Sequence, residues 1–160
     1  MLNMKTKMVY FLLGMVILAS NPIWSQKAIG GVLLINAKTN KSINVSGKYD
    51  PDKVEAILGK AITLVKDIYE NETPVYTFTY DGLIIEMQND LIKQATITNK
   101  KWKLNAFTIG VLIEEIAAKH EKHDAKFVTD RRFKIKDSKG VIFAEIDNWQ
   151  RITKLGVVFN

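Results

Sequence analysis

The stretch H-E-K-H-D, His120 to Asp124, holds the only two histidines of the 160-residue chain. On a helix, a spacing of three puts both imidazoles on one face, and Asp124 would add an oxygen, a donor set that suits a divalent metal. H-E-K-H falls one residue short of the zinc-protease pattern H-E-x-x-H. No third ligand is identifiable, and a polar helix end is where cations complement the helix dipole. The stretch is therefore read as a solvated helix end, and no metal site is assigned. Glu86 and Glu145 fall in equivalent hairpin strands, where two facing acids would suit glycoside chemistry. The plainer reading is two solvent-facing or edge acids. Glu114 and Glu115 are adjacent, so on a helix they point apart. The chain has no cysteine, which excludes a thiol nucleophile, a disulfide, a thiolate metal site and an acylated N-terminal Cys. There is no G-x-S-x-G elbow, no phosphate loop and no dinucleotide fingerprint; Gly30-Gly31 is too short for either of the last two. No catalytic residue and no cofactor is assigned, and the balance leans away from an enzyme.

The ends and the charge bound the rest. Met1 to Lys7 is basic, Met8 to Ala19 is apolar, and S-N-P-I-W-S precedes Gln26. This is the pattern of a secretory signal peptide over residues 1–25, cleaved after Ser25. The apolar run is shorter than the about 20 residues a spanning helix needs, so no stable membrane insertion is expected after cleavage. The remaining residues, 26–160, have the size of one domain. The formal charge is +6, and removing Lys5 and Lys7 leaves +4. Nucleic-acid binding needs a denser basic face than that. The most basic run, R-R-F-K-I-K (Arg131 to Lys136), alternates as a strand with one wet face. Periplasmic localisation follows, with secretion as the alternative.

Elements come next. Residues 28–47 read as strand, K-T-N-K turn and strand. Asp50, Pro51, Asp52 and Gly59 punctuate a short helix with Val54, Ile57 and Leu58 on one face. Residues 61–69 fit either a strand or a helix face. V-Y-T-F-T-Y, the Asp81-Gly82 turn and L-I-I-E-M predict a hairpin, followed by an Asn89-Asp90 turn and a further strand. A second helix is expected from Phe107 to His120, with Thr108 as its N-cap. The basic strand, the D-S-K-G turn, V-I-F-A-E-I, the D-N-W-Q turn and a last strand complete the chain.

The order helix, hairpin, strand thus occurs twice, in possible repeats 47–104 and 105–160. A constant offset of 58 lays Asp50 on Thr108, Val54 on Leu112, Leu58 on Ile116, Gly82 on Gly140 and Leu83 on Val141; Ile92 falls on Ile152 after a two-residue insertion. The expected fold is α+β: an antiparallel sheet with two helices packed on one face. A helix ending in Leu58-Gly59 and a meander opening on Tyr80-Asp81-Gly82-Leu83 resemble the helix-plus-meander repeat of β-lactamase inhibitory proteins and of small outer-membrane assembly lipoproteins. That resemblance implies an exported protein that binds another protein with its sheet.

The aromatic residues offer the candidate binding site. Tyr76, Tyr80 and Trp102 could line one sheet face as interface anchors, or Trp102 could instead lid the edge of the core. The expected function is an exported, non-enzymatic binding protein that recognises another protein or an envelope component through its sheet. The alternatives are a small periplasmic hydrolase or small-ligand-binding protein, and a structural envelope protein.

Overall fold

The structure, a computed structural model, describes residues 31–69, 72–123 and 129–159. The leader expected over residues 1–25 and the ligand candidate Asp124 lie outside the described residues. The alternating apolar runs at 75–80, 83–88 and 140–146 become strands, and the class is α+β. Strands β1 (Leu33–Asn36) and β2 (Ser42–Asn44) join β7 (Trp102–Leu104) in a three-stranded sheet of order β2-β1-β7. The other eight strands form one sheet. They are β3 (Thr63–Asp67), β4 (Val75–Tyr80), β5 (Leu83–Gln88), β6 (Leu91–Ile97), β8 (Glu121–His123), β9 (Asp130–Lys134), β10 (Gly140–Ile146) and β11 (Ile152–Phe159). Their order is β3-β4-β5-β6-β11-β10-β9-β8, with every neighbouring pair antiparallel.

Helix α1 (Pro51–Leu58) forms where its punctuation predicts. The Asp50 carboxylate accepts from the Lys53 N–H at 2.8 Å, Pro51 needs no donor at the first position, and Gly59 ends the helix at φ 100°. Helix α2 (Ile113–Ala117) is much shorter than the expected run from Phe107. The backbone groups that would open it are taken by strands. Gly110, at φ 91°, donates to the Ile152 carbonyl at 2.7 Å, and Ile152 donates to the Val111 carbonyl at 2.9 Å. Phe107 exchanges two 2.9 Å hydrogen bonds with Leu104. Thr108 is therefore no cap; its hydroxyl donates to the Trp102 carbonyl at 2.8 Å. Leu112 takes the N-cap position without a side-chain hydrogen bond.

Within the ambiguous residues 61–69, Thr63–Asp67 forms the edge strand β3. Strands β7 and β8 have only three residues each, too few for alternation to reveal them. The turns match their residues well. Gly82 sits at φ 77°, and Asn89 and Asp90 at 54° and 60°, the two positive φ values that a type I′ hairpin requires.

The eight-stranded sheet has two four-stranded halves, β3 to β6 and β8 to β11, joined where β6 pairs with β11. A helix precedes each half in the chain. Both hairpins carry a register shift at the corresponding step, between Glu86 and Met87 and between Glu145 and Ile146. The offset that matches buried side chains is not 58. Leu83, Ile85 and Met87 of β5 correspond to Ile142, Ala144 and Ile146 of β10 at an offset of 59, and all six are buried. Ile92, Ala95 and Ile97 of β6 correspond to Ile152, Leu155 and Val157 of β11 at an offset of 60, again all buried. An offset of 58 would lay buried Leu83 on half-buried Val141, the face reversal that a one-residue slip produces.

One core holds these parts together. The buried face of the large sheet, Leu34 and Ile43 of the small sheet, Val54 and Leu58 of α1, and Ile113 and Ile116 of α2 belong to a single hydrophobic cluster. Each such aliphatic side chain contributes about 1.5–3 kcal/mol on burial. That is the means by which a chain without disulfides holds its shape.

Candidate functional site on the open sheet face

The three aromatic residues expected to line a sheet face do not share an exposed surface. Tyr80 and Trp102 are buried, 7% and 4% exposed, with ring centroids 5.4 Å apart. The Trp102 indole N–H donates to the Asp81 carbonyl at 3.0 Å, tying β7 to the β4–β5 turn. The buried Tyr80 hydroxyl has no hydrogen-bond partner among the described residues. Burial, with a smaller contribution from the Glu55 charge, pushes its pKa up to about 12. Of the three, only Tyr76 is partly open, and the Lys66 ammonium lies 5.7 Å from its ring centroid. The alternation of β4 explains this: Tyr76, Phe78 and Tyr80 share the core-facing side, and the threonines between them face out.

The chemistry-bearing candidates are likewise separated. Glu86 and Glu145 belong to β5 and β10, with β6 and β11 between. Three strand spacings put them at least about 14 Å apart. Glu145 instead accepts from the Lys154 ammonium at 2.7 Å. His120 and His123 do not share a helix, because α2 ends at Ala117 and β8 begins at Glu121. The His120 ring is half-buried and meets Phe107 edge-on, centroids 6.0 Å apart. Its pKa is lowered by burial and then by the Lys119 charge. Among the described residues, no three His, Asp or Glu side chains converge as metal ligands would.

What the sheet does present is its other face. There the outward side chains of β4, β5, β10 and β11, including Thr77, Glu86, Val141, Phe143 and Val158, are half-buried or exposed. A groove of about 490 Å³ lies on this face, lined by Gln94, Thr129, Asp130, Arg132, Phe143, Glu145 and Val158. Its floor depends on Gly156. This residue pairs with Phe143 across β10–β11 and with Thr96 across β11–β6. A Cβ there would collide with the Phe143 ring and lie 2.6 Å from the Ala95 carbonyl oxygen. The missing side chain therefore lets the Phe143 ring lie across the central strand. The rim is charged. Asp130 accepts from Arg132 through Nε at 3.2 Å and Nη2 at 3.1 Å, and Lys154 and Glu145 pair on the neighbouring strands.

Two further surfaces stand out. On β3 all five side chains are exposed. Trp149, 78% exposed, tops the β10–β11 turn, where the Asp147 carboxylate accepts from the Trp149 and Arg151 N–H groups at 2.9 Å each. Sequence reasoning missed the groove, since its residues come from β6, β9, β10 and β11 and only the sheet order unites them. The alternation of R-R-F-K-I-K does put Arg132 on the wet face of its strand, and Glu145 reads as a solvent-facing or edge acid, but nothing local joins them or marks Phe143. Comparison with protein-family models, curated proteins and solved structures gives no match. Among the described residues, no helix is long and apolar enough to cross a membrane.

Proposed function

We propose that this is an exported, non-enzymatic binding protein, acting in the periplasm, that recognises another protein or an envelope component through the open face of its eight-stranded sheet. The observation that carries this reading is the groove on that face: an apolar floor of Phe143 and Val158 inside a rim of paired charges. An apolar centre with a polar rim is the composition of a protein-recognition patch, and aromatic and arginine side chains are its usual anchors. The leader-like N-terminus supports export. The resemblance to helix-plus-meander inhibitors and assembly lipoproteins supports sheet-mediated binding. The mirrored strand order and the matching bulges support a duplicated unit as the origin of the two halves.

The groove's volume also falls in the range of small-ligand pockets, which makes a small-ligand-binding protein the second reading. Capture experiments separate the two. Immobilised residues 26–160 should retain one partner from envelope extract, and Arg132→Glu and Phe143→Asp should each lose it while keeping the wild-type circular dichroism. Retention unchanged in both variants would remove the groove from the account.

A further inference from the structure

Among the described residues, β3 is an edge of the eight-stranded sheet with no strand beyond it. Ile62, Leu64, Val65, Ile68 and Tyr69 are all exposed, Ile62 and Ile68 at 70% and 67%. A sheet edge with apolar side chains and unpaired backbone groups is a template for another strand. The opposite edge is β8, Glu-Lys-His, short and charged, which are the features that deter such pairing. The two edges therefore do not complement one another, and a head-to-tail filament is not the expected outcome.

The sequence of β3 and its flanks, I-T-L-V-K-D-I (Ile62 to Ile68), is close to its own antiparallel complement. Two copies that continue one sheet about a dyad keep their faces, so residues on the same side must oppose each other. Centring the dyad on Val65 sets Val65 opposite Val65, Leu64 opposite Lys66, Thr63 opposite Asp67 and Ile62 opposite Ile68. This register pairs the whole of β3 with itself and places no like charges in direct opposition. Thr63 can donate its hydroxyl to the Asp67 carboxylate of the other copy. Lys66 already directs its ammonium over Tyr76 of its own chain, leaving its aliphatic stem beside Leu64 of the other copy. Centring on Lys66 or Asp67 would oppose two like charges, which is unfavourable. Centring on Leu64 would leave Asp67 opposite Ala61, beyond the end of the strand.

We infer that β3 is a self-association edge, at which a second copy of this chain adds antiparallel to form one continuous sheet through a dyad at Val65. This surface is separate from the groove, and its failure would leave the groove reading untouched.

The absence of cysteine makes the register directly testable. In this register two Val65 Cα atoms lie about 4.5–5.5 Å apart, within the about 4.4–6.8 Å that a disulfide spans. Two Leu64 Cα atoms are offset by two residues along the strand, at about 8 Å, which a disulfide does not span. Residues 26–160 carrying Val65→Cys should form a covalent dimer under mild oxidation, and Leu64→Cys, at similar exposure, should not. In analytical ultracentrifugation the wild type should dimerise as concentration rises. Val65→Lys and Val65→Glu should each lose the dimer, and an equimolar mixture of the two should regain it. A wild type that stays monomeric, equal crosslinking by both cysteine variants, or no recovery in the mixture would each overturn the proposal.

Discussion

The two halves of the large sheet share a plan and differ where they end. β4 to β6 and β9 to β11 carry matched buried rows and a bulge at the corresponding step. Outside them, β3 presents five exposed side chains, Leu64 and Val65 among them, with exposed Ile62 and Ile68 on its flanks, while β8 is three residues of charge and imidazole. The helices diverge as well: α1 is capped by Asp50, and α2 opens at Leu112 with no side-chain cap. The shared part is what packing demands, since every matched position faces the core. The divergent part is surface, where the core exerts no constraint and function can act.

If the halves are equivalent in the core, breaking either should cost the same. Phe78 of β4 and Phe133 of β9 are both fully buried. Phe78→Ala and Phe133→Ala should each lower the unfolding free energy by about 3–5 kcal/mol, read as a reduced urea midpoint in a single transition. A biphasic transition in one variant would mean that the halves unfold separately. The seam between halves is next. Gly156→Ala should cost about 1–3 kcal/mol, because the new methyl overpacks Phe143 and Ala95, and it should weaken partner capture by disturbing the groove floor.

Smaller effects distinguish the helices. Asp50→Ala should cost about 1 kcal/mol. Leu112→Asp should gain up to about 1 kcal/mol, since Leu112 already has the extended backbone of an N-cap but supplies no acceptor. Smallest is a pH effect confined to the second half. Burial lowers the His120 pKa, so charging this ring is harder in the folded chain than in the unfolded one. The associated stability is full above the unfolded value of about 6.5 and declines as pH falls from there through the folded value. Replacing His120 by Gln should flatten that part of the stability–pH curve.

Much of this architecture was legible from local chemistry. Asp50-Pro51 and Gly59 bound α1 because capping depends only on near neighbours in sequence. Asp81-Gly82 and Asn89-Asp90 mark their turns because positive φ is a residue-level preference. The second helix was overestimated because the hydrogen bonds that shorten it come from Ile152, some forty residues on, and no local pattern reports them. The misplaced offset aligns Gly82 with Gly140, yet Gly82 sits in its turn at positive φ while Gly140 is the first residue of β10. The connection from Ile146 to its partner Ile152 is also one residue longer than that from Met87 to Ile92. Tyr80 and Trp102 were open to either assignment, because the same residue types serve as interface anchors and as core. Only the packing of β7 against the β4–β5 turn puts them inside. The groove was illegible because it depends on β11 inserting beside β6.

The most direct test of the open-face account compares the affinity of the captured partner for three monomeric forms: Val65→Lys alone, Val65→Lys with Arg132→Glu, and Val65→Lys with Leu112→Asp. Adding Arg132→Glu should weaken binding tenfold or more, about 1.4 kcal/mol, while Leu112→Asp should leave it unchanged. Equal affinity for the Arg132→Glu form, or loss confined to the Leu112→Asp form, would contradict recognition through the groove.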